Sequence, residues 1–330
     1  MESTHPSTAP THSKYGGTWL DRSDFREQLE QRVRSGAIDA ELRAKLESFE
    51  RDGYVVLEGA ASDADLDNFD SAITKAFRDG HDHLIAQVSG DGTPRRVTDE
   101  TPRFGSRIVD SFAVIPAALD LFSSPRLVQF LQAVLDEKPM LFQSLSFDTG
   151  SQQGLHQDTA YVVVNRPLEL AACWIALEDV QPGSGELQYM IGSHRLPDFD
   201  FGGSKKHWNA ETDGHDKHNE WARWIISEGA QRHMPVHRFM AKRGDILIWH
   251  ADLAHGGSPI TNPSLTRKSL VGHFCPTSAM PNFMQYAPTR ATVLHRDAIS
   301  YSSGHYDLAA LQASETRQSY LEGMFEQKTD

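Results

Sequence analysis

The chain has 330 residues, of which 32 are Lys or Arg and 45 are Asp or Glu, leaving a formal net charge of −13 at pH 7. A hydrophobic fraction of 39%, with 16 Phe and 6 Trp, is enough to bury a large core and excludes a wholly disordered chain. The acidic balance is broken by no Lys/Arg cluster, so neither nucleic acid nor an anionic membrane surface is an expected partner.

The opening residues 1–14 are rich in Ser, Thr and Pro and read as a flexible tail; they lack the basic start and apolar run of a secretory signal. A single domain is expected over 15–330, with a mainly helical part over 15–137. Asp24 and Glu27 start a first helix, Phe25, Leu29 and Val33 recur on one face, and Gly36 offers a left-handed stop. Asp39 caps a second helix with a Leu42, Leu46, Phe49 stripe that ends at Gly53, after which Tyr54 to Leu57 is β-prone. Ser62 and Asp65 open a third helix carrying Leu66, Phe69, Ile73 and Phe77. Ser124-Pro125 opens a fourth with Leu127, Leu131 and Val134.

From Met140 the pattern changes to short β-prone runs separated by Gly, Pro, Asn and Asp. They are Met140–Phe147, Thr159–Val164, Leu170–Leu177, Leu187–Ile191, Val236–Met240, Ile246–Trp249 and Ser269–Phe274. Such a series predicts a sandwich or barrel, a core over 138–290. The polar stretch 195–234, with His207, His215, His218, His233, Trp208, Trp221 and Trp224, is too long for an ordinary connection and reads as a lid inserted in the strand series. No stretch of apolar residues is long enough to span a membrane. Cys173 and Cys275 lie 102 positions apart in apolar runs and are expected to be free buried thiols, which suits a reducing, cytoplasmic setting.

Chemistry concentrates in two segments. GLHQDTAYV sets His156 and Asp158 two positions apart, so an extended strand would present both on one face. RGDILIWHADLAHGG supplies His250 and His255 as candidates for a third ligand. Two imidazoles and one carboxylate on one side of an octahedron leave three positions open, the arrangement that suits Fe(II) with a co-substrate and O₂. His250, directly after Trp249 on a strand, reads as a hydrogen-bonded core histidine, and the glycines after His255 favour His255. Twelve positions beyond His255 comes Arg267, at the start of the strand KSLVGHF, where it could form a forked pair with a carboxylate beside the metal.

In these segments, together with DGYVVLEGA, FQSLSF, CWIALEDVQPGSGELQYMIGSHR and GDILIWHADLAHGGSPITNPSLTR, the sequence resembles the phytanoyl-CoA dioxygenase family of Fe(II)/2-oxoglutarate oxygenases. The resemblance implies a mainly β fold with flanking helices, built on a double-stranded β-helix (jelly-roll, cupin-like) core. It implies His156, Asp158 and His255 as iron ligands and Arg267 as the anchor of the distal carboxylate of 2-oxoglutarate. Trp174 and Gln143 would face the co-substrate pocket, and Ser264 would contact the co-substrate. Asp158, where halogenating relatives carry Gly or Ala, favours oxygenation.

The implied reaction hydroxylates an unactivated C–H of a small-molecule metabolite and releases succinate and CO₂. Two other readings stand beside it: a cupin-like metal- or ligand-binding protein without turnover, and a metal-dependent hydrolase or isomerase on the same barrel. Intact Asp158 and Arg267 speak against the first, and a buried Arg beside the metal would have no obvious purpose in the second. No G-x-S-x-G elbow and no phosphate-binding glycine loop is present.

Overall fold

The computed structural model describes residues 9–88 and 92–314. Helix α1 (Phe25–Arg34) buries Phe25 and Leu29. In α2 (Ala40–Asp52) the Asp39 carboxylate accepts from the Leu42 N–H, satisfying one of the free first-turn donors. Leu42, Leu46 and Phe49 form its buried stripe, and Gly53, at φ 83°, closes it in the left-handed conformation that a glycine adopts without a Cβ clash. Strand β1 (Tyr54–Leu57) leaves directly from that turn. Helix α3 (Asp63–Asp79) is capped by Ser62 and buries Leu66, Phe69 and Ile73.

Three short strands then interrupt the helical region in a way the sequence pattern does not announce: β2 (Ile85–Val88), β3 (Pro94–Arg96) and β4 (Ser106–Val109). Helices α4 (Pro116–Phe122) and α5 (Pro125–Leu135) each begin on proline, where a missing N–H costs no helical bond. The remaining elements are β5 (Pro139–Phe147), β6 (Ala171–Ala176), β7 (Leu187–Met190), α6 (Ala210–Gln231), β8 (Val236–Arg238), β9 (Ile246–His250), β10 (His255–Gly257), β11 (Ser269–Pro276), α7 (Phe283–Tyr286), β12 (Leu294–Arg296) and β13 (Ile299–Tyr301).

The major sheet runs β1-β9-β6-β11-β5-β4-β2-β3 with antiparallel neighbours, and β13 joins β5 in parallel. A minor sheet, β10-β7-β8, faces it. Alternation along the central strands divides their side chains between two cores. Cys173 and Ile175 of β6, Ile246 and Ile248 of β9, and Leu270 and Phe274 of β11 pack with the helices. Ala172, Trp174, Leu247, Trp249 and Val271 point the other way, towards Leu187 and Tyr189 of the minor sheet. Each central strand is thus buried on both faces and reads as a continuous apolar run.

Three expectations change in detail. Residues 1–8 of the expected tail lie outside the described residues, but Ser13 and Lys14 are held: the Ser13 hydroxyl and the Lys14 N–H both donate to the Asp198 carboxylate, at 2.7 and 2.9 Å. Thr159–Val164 is not a strand. The Asp158 carbonyl accepts from both the Tyr161 and Val162 N–H, at 2.8 and 2.7 Å, so a turn takes the donors that a ladder would need. Val162 and Val164 pack instead against Met140, Phe142 and Leu170. The 195–234 stretch carries α6, broken at Gly214 (φ 68°), with Trp221 and Ile225 buried against Ala160, Met190, Phe201 and Ala254. Both cysteines are free and buried, and burial pushes both thiols up. Among the described residues no helix is long and apolar enough to cross a membrane.

Candidate metal centre

His156, Asp158 and His255 converge between the two sheets, all buried, with one potential ligand atom from each lying within 4.8 Å of the others. The strand expected to hold the first two is replaced by a bridge and a turn. His156 and His255 exchange backbone hydrogen bonds, N–H to carbonyl in both directions at 2.9 Å, and Asp158 begins the short 3-10 turn that follows. The glycines after His255 make the bridge possible. A Cβ on Gly256 would lie 2.5 Å from the Gln153 carbonyl oxygen, and one on Gly257 would lie 2.7 Å from the Gln152 nitrogen. Only hydrogen at those positions lets the loop before His156 lie flat against β10.

The two imidazoles are oriented alike. His156 Nδ1 lies 2.9 Å from the Gly154 carbonyl and His255 Nδ1 lies 2.8 Å from the Leu253 carbonyl. Each pair is a hydrogen bond only if Nδ1 carries the proton, and in the neutral ring that tautomer leaves Nε2 with a free lone pair. Those Nε2 atoms lie 3.9 and 3.5 Å from Asp158 Oδ1. The other carboxylate oxygen, Oδ2, accepts from the Trp249 indole N–H at 2.7 Å and lies 3.4 Å from His273 Nε2. Burial pulls the His156 imidazole down to about 4, with His255 acting in the same direction and Asp158 against it. Burial alone would raise Asp158, but His255, followed by His273, holds it well below the usual carboxylate range. Neutral imidazoles beside an ionised carboxylate are the forms that bind a divalent cation.

A cavity of about 80 Å³ opens over this group and is lined also by Trp174, Arg267, Leu145, Phe147 and Val271. Arg267 is 3% exposed, with its guanidinium 5.5 Å from the Trp174 ring centre. Arg267 Nε and Trp174 Nε1 are buried without a hydrogen-bond partner among the described residues. Burial draws the guanidinium down to about 10 against the more distant pull of Glu186 and Glu178. Two buried donors left unpaired in one cavity are costly unless an acceptor joins them there.

Not every residue singled out in the sequence reaches this cavity. Gln143 shares the inner face of β5 but lines a separate cavity of about 230 Å³ with Asp110, Tyr161 and His305. Ser264 is exposed in the turn before β11, where its hydroxyl donates to Asn262 Oδ1 at 2.6 Å. The turn satisfies its own polar groups and carries Ser264 away from the site. His250 lies on the helix side of β9, with Nε2 3.2 Å from Asp21 Oδ1 and its ring 5.2 Å from that of His194.

Sequence reasoning missed three contributors. Trp249, whose indole donates to Asp158 Oδ2, and His273, whose Nε2 lies 3.4 Å from that oxygen, are inner-face residues, and only the strand parity of IWH and VGHF hinted at them. Gln157, between two candidate ligands, donates through Nε2 to the Asp252 carbonyl at 2.9 Å and lies 3.4 Å from the indole nitrogen of Trp221 on α6.

Comparison with known proteins places this geometry. The family model described as Phytanoyl-CoA dioxygenase (PhyH) matches residues 49–269, about two thirds of the chain. No curated protein matches the sequence. Among solved structures the chain is similar to the epimerase SnoN in complex with Fe3+, alpha ketoglutarate and nogalamycin RO, at 20% identity over 73% of this chain and 85% of that one, TM-score 0.53. It is also similar to EctD from S. alaskensis with bound Fe, at 20% identity over 73% and 78%, TM-score 0.52. EctD with 2-oxoglutarate and 5-hydroxyectoine gives 21% over 73% and 77%, TM-score 0.51. At such identities the likeness is one of fold: a double-stranded β-helix core with flanking helices.

Proposed function

Because the chain belongs to the phytanoyl-CoA dioxygenase family, we propose that it is an Fe(II)- and 2-oxoglutarate-dependent dioxygenase. In this reading it hydroxylates an unactivated C–H of a small-molecule metabolite and releases succinate and CO₂. The observation that carries the reading is the pairing, in one cavity, of a two-histidine, one-carboxylate donor set with a buried Arg267 whose Nε lacks a partner.

The donor set fits the metal. Nitrogen and carboxylate ligands with positions left open suit non-haem Fe(II), whereas a structural zinc site would be closed by a fourth protein ligand. His156, Asp158 and His255 would hold the ion, and when bound it would supply the oxidising chemistry through O₂ and 2-oxoglutarate. The protein's own contribution is position and dryness. Carbonyls of Gly154 and Leu253 fix the histidine tautomers, and the Trp249 indole N–H fixes the carboxylate, with His273 Nε2 3.4 Å away. Arg267 offers a forked cation to the distal carboxylate of 2-oxoglutarate, with the free Trp174 indole N–H beside it. Ala172, Val271 and Leu247 exclude bulk water from behind. No side chain need act as nucleophile.

We read 15–330 as one oxygenase domain in which the 195–234 stretch, with α6, is a lid that selects substrate. Trp221, reaching Gln157 beside the ligands, gives that lid a route to the centre. SnoN, of the same fold, is an epimerase, so the outcome at the C–H is read from product mass: a gain of one oxygen for hydroxylation. The test of the centre itself is anaerobic. Fe(II) and 2-oxoglutarate added together should give a metal-to-ligand absorption band, which His255→Ala removes and His250→Ala keeps. A band lost in His250→Ala and kept in His255→Ala would overturn the assignment.

A further inference from the structure

A larger cavity, about 380 Å³, adjoins the metal cavity. The two share Leu145, Phe147, Ser151 and Gln153 in their walls, so what fills the larger one ends against the smaller. Strand register explains how it is built. Gln87 of β2 pairs with Arg107 of β4, and Arg107 pairs with Phe147 of β5, so the three form one row across the sheet. Residues in one row point to the same face, and Phe147 faces the metal cavity. The row therefore runs from the centre outward, through Phe147 to Arg107 and Gln87.

The lining of this cavity is mixed, with Leu145, Phe147 and Ile260 against Gln87, Ser106, Thr149, Ser151, Gln152 and Gln153. Arg107 is the one charged residue among the described lining residues. Its Nε donates to Gln87 Oε1 at 2.7 Å, which fixes the plane of the guanidinium. Among the described residues no carboxylate lies within ion-pair distance of it, whereas Arg103, four residues before it, pairs with Asp148. Arg107 is exposed at the cavity mouth, and partial desolvation of its guanidinium lowers its pKa.

Resting on the dioxygenase reading, we propose that this cavity is the substrate chamber and that Arg107 is its specificity-determining residue, binding an anionic group, a carboxylate, on a small metabolite. The volume lies at the low end of the range for small-molecule sites, about 300–1,000 Å³. One cation suits one anionic group; a nucleotide thioester with several phosphates would call for a cluster of them. Held at Arg107, such a molecule extends along Phe147 and presents its far end to the metal cavity. The carboxylate and the oxidised carbon are thereby at opposite ends of the substrate.

Equilibrium binding tests this without turnover. Metal-free protein is titrated calorimetrically with a panel of small carboxylic acids carrying an apolar or hydroxylated body, and with the matched primary amides. Wild type should bind members of the acid set and prefer them to their amides. Arg107→Gln should weaken those acids at least about tenfold and leave amides unchanged, and Arg107→Lys should restore part of the loss. Melting temperatures of the variants are recorded in parallel, and a change in acid affinity counts only between proteins that melt alike. Binding of no acid, equal binding of acids and amides, or acid affinity unchanged in Arg107→Gln would each overturn the proposal. The anaerobic absorption band is measured on the same wild-type protein. Acid binding with no band would sink the dioxygenase reading and leave the chamber; a band with no Arg107-dependent acid binding would do the reverse.

Discussion

Trp249→Phe isolates the support of the metal centre from the ligands themselves. The substitution keeps a ring on the inner face of β9 and removes one donor, the indole N–H that lies 2.7 Å from Asp158 Oδ2. A hydrogen bond to a charged acceptor is worth about 1.5–3 kcal/mol, and each 1.4 kcal/mol is about tenfold in an equilibrium constant. Full loss would therefore weaken metal binding by roughly 10- to 150-fold. His273 Nε2, 3.4 Å from the same oxygen, remains in reach and can shorten its contact. The expected loss is for that reason at the lower end, about 10- to 30-fold, within the range seen when outer partners of metal ligands are removed. The double variant Trp249→Phe with His273→Ala should reach the upper end. The assay is anaerobic calorimetric titration with Fe(II), and with Co(II) as a redox-stable stand-in, alongside metal-free melting curves that report the packing cost of the smaller ring. If metal-free Trp249→Phe melts like wild type and binds both ions with unchanged affinity, the indole does not hold Asp158 in the ligating position.

Arg267→Ala should weaken 2-oxoglutarate by about thirtyfold or more, since removing one partner of a desolvated charge pair costs about 2–5 kcal/mol. Arg267→Lys should recover only part, and unchanged 2-oxoglutarate affinity in the alanine variant removes this arginine from the site. Gly256→Ala places a methyl 2.5 Å from the Gln153 carbonyl, so the loop before His156 must retreat. Metal affinity should fall while melting shifts by no more than the about 1–3 kcal/mol of an overpacked site, and equal metal affinity would show that the loop can yield. Asp21 is held from 3.8 down to about 2 by its His250 partner against the cost of burial, which corresponds to about 2 kcal/mol. That stability is present above the unfolded carboxyl value and is lost as pH falls through about 2, while the raised His250 contributes fully below 6.5 and fades as pH rises past its folded value. Denaturant titration of Asp21→Asn should show the full deficit near about pH 5, narrowing on both sides; a pH-independent difference would mean packing and not charge.

The candidate donor set that converges in the structure was legible because its chemistry is local: His156 and Asp158 are two residues apart, and His255 is marked by the glycines that follow it. The cap-and-stripe signals of α2, α3 and α5 and the apolar runs of β5, β6, β9 and β11 were legible for the same reason. What the sequence concealed depends on pairing across distance. Strands β2, β3 and β4 are short and polar on one side, with Pro94, Arg95 and Arg96 exposed, so no apolar alternation marks them. Helix α6 hides behind the Gly214 break and a sparse apolar stripe, with only Trp221 and Ile225 as large buried residues on one face. Gln143, expected from the resemblance to face the co-substrate pocket, lines a neighbouring cavity instead, because sharing a face of the sheet does not fix the position along it. Ser264 failed because its turn closes on Asn262.

The division of the central strands between two cores makes catalytic competence a digital property of the fold. Trp174, Trp249 and His273 alternate with Cys173, Ile248 and Phe274, residues that the helices would accept only as apolar neighbours. Sliding β6, β9 or β11 by a single residue would turn the polar rings into the helical core and the aliphatic side chains into the cavity. No intermediate register keeps half of the centre. During refolding, recovery of metal affinity would therefore follow the concerted closure of the whole sheet, whereas helix signals and hydrophobic collapse could return earlier, and a chain trapped one residue out of step would be compact, helical and inert.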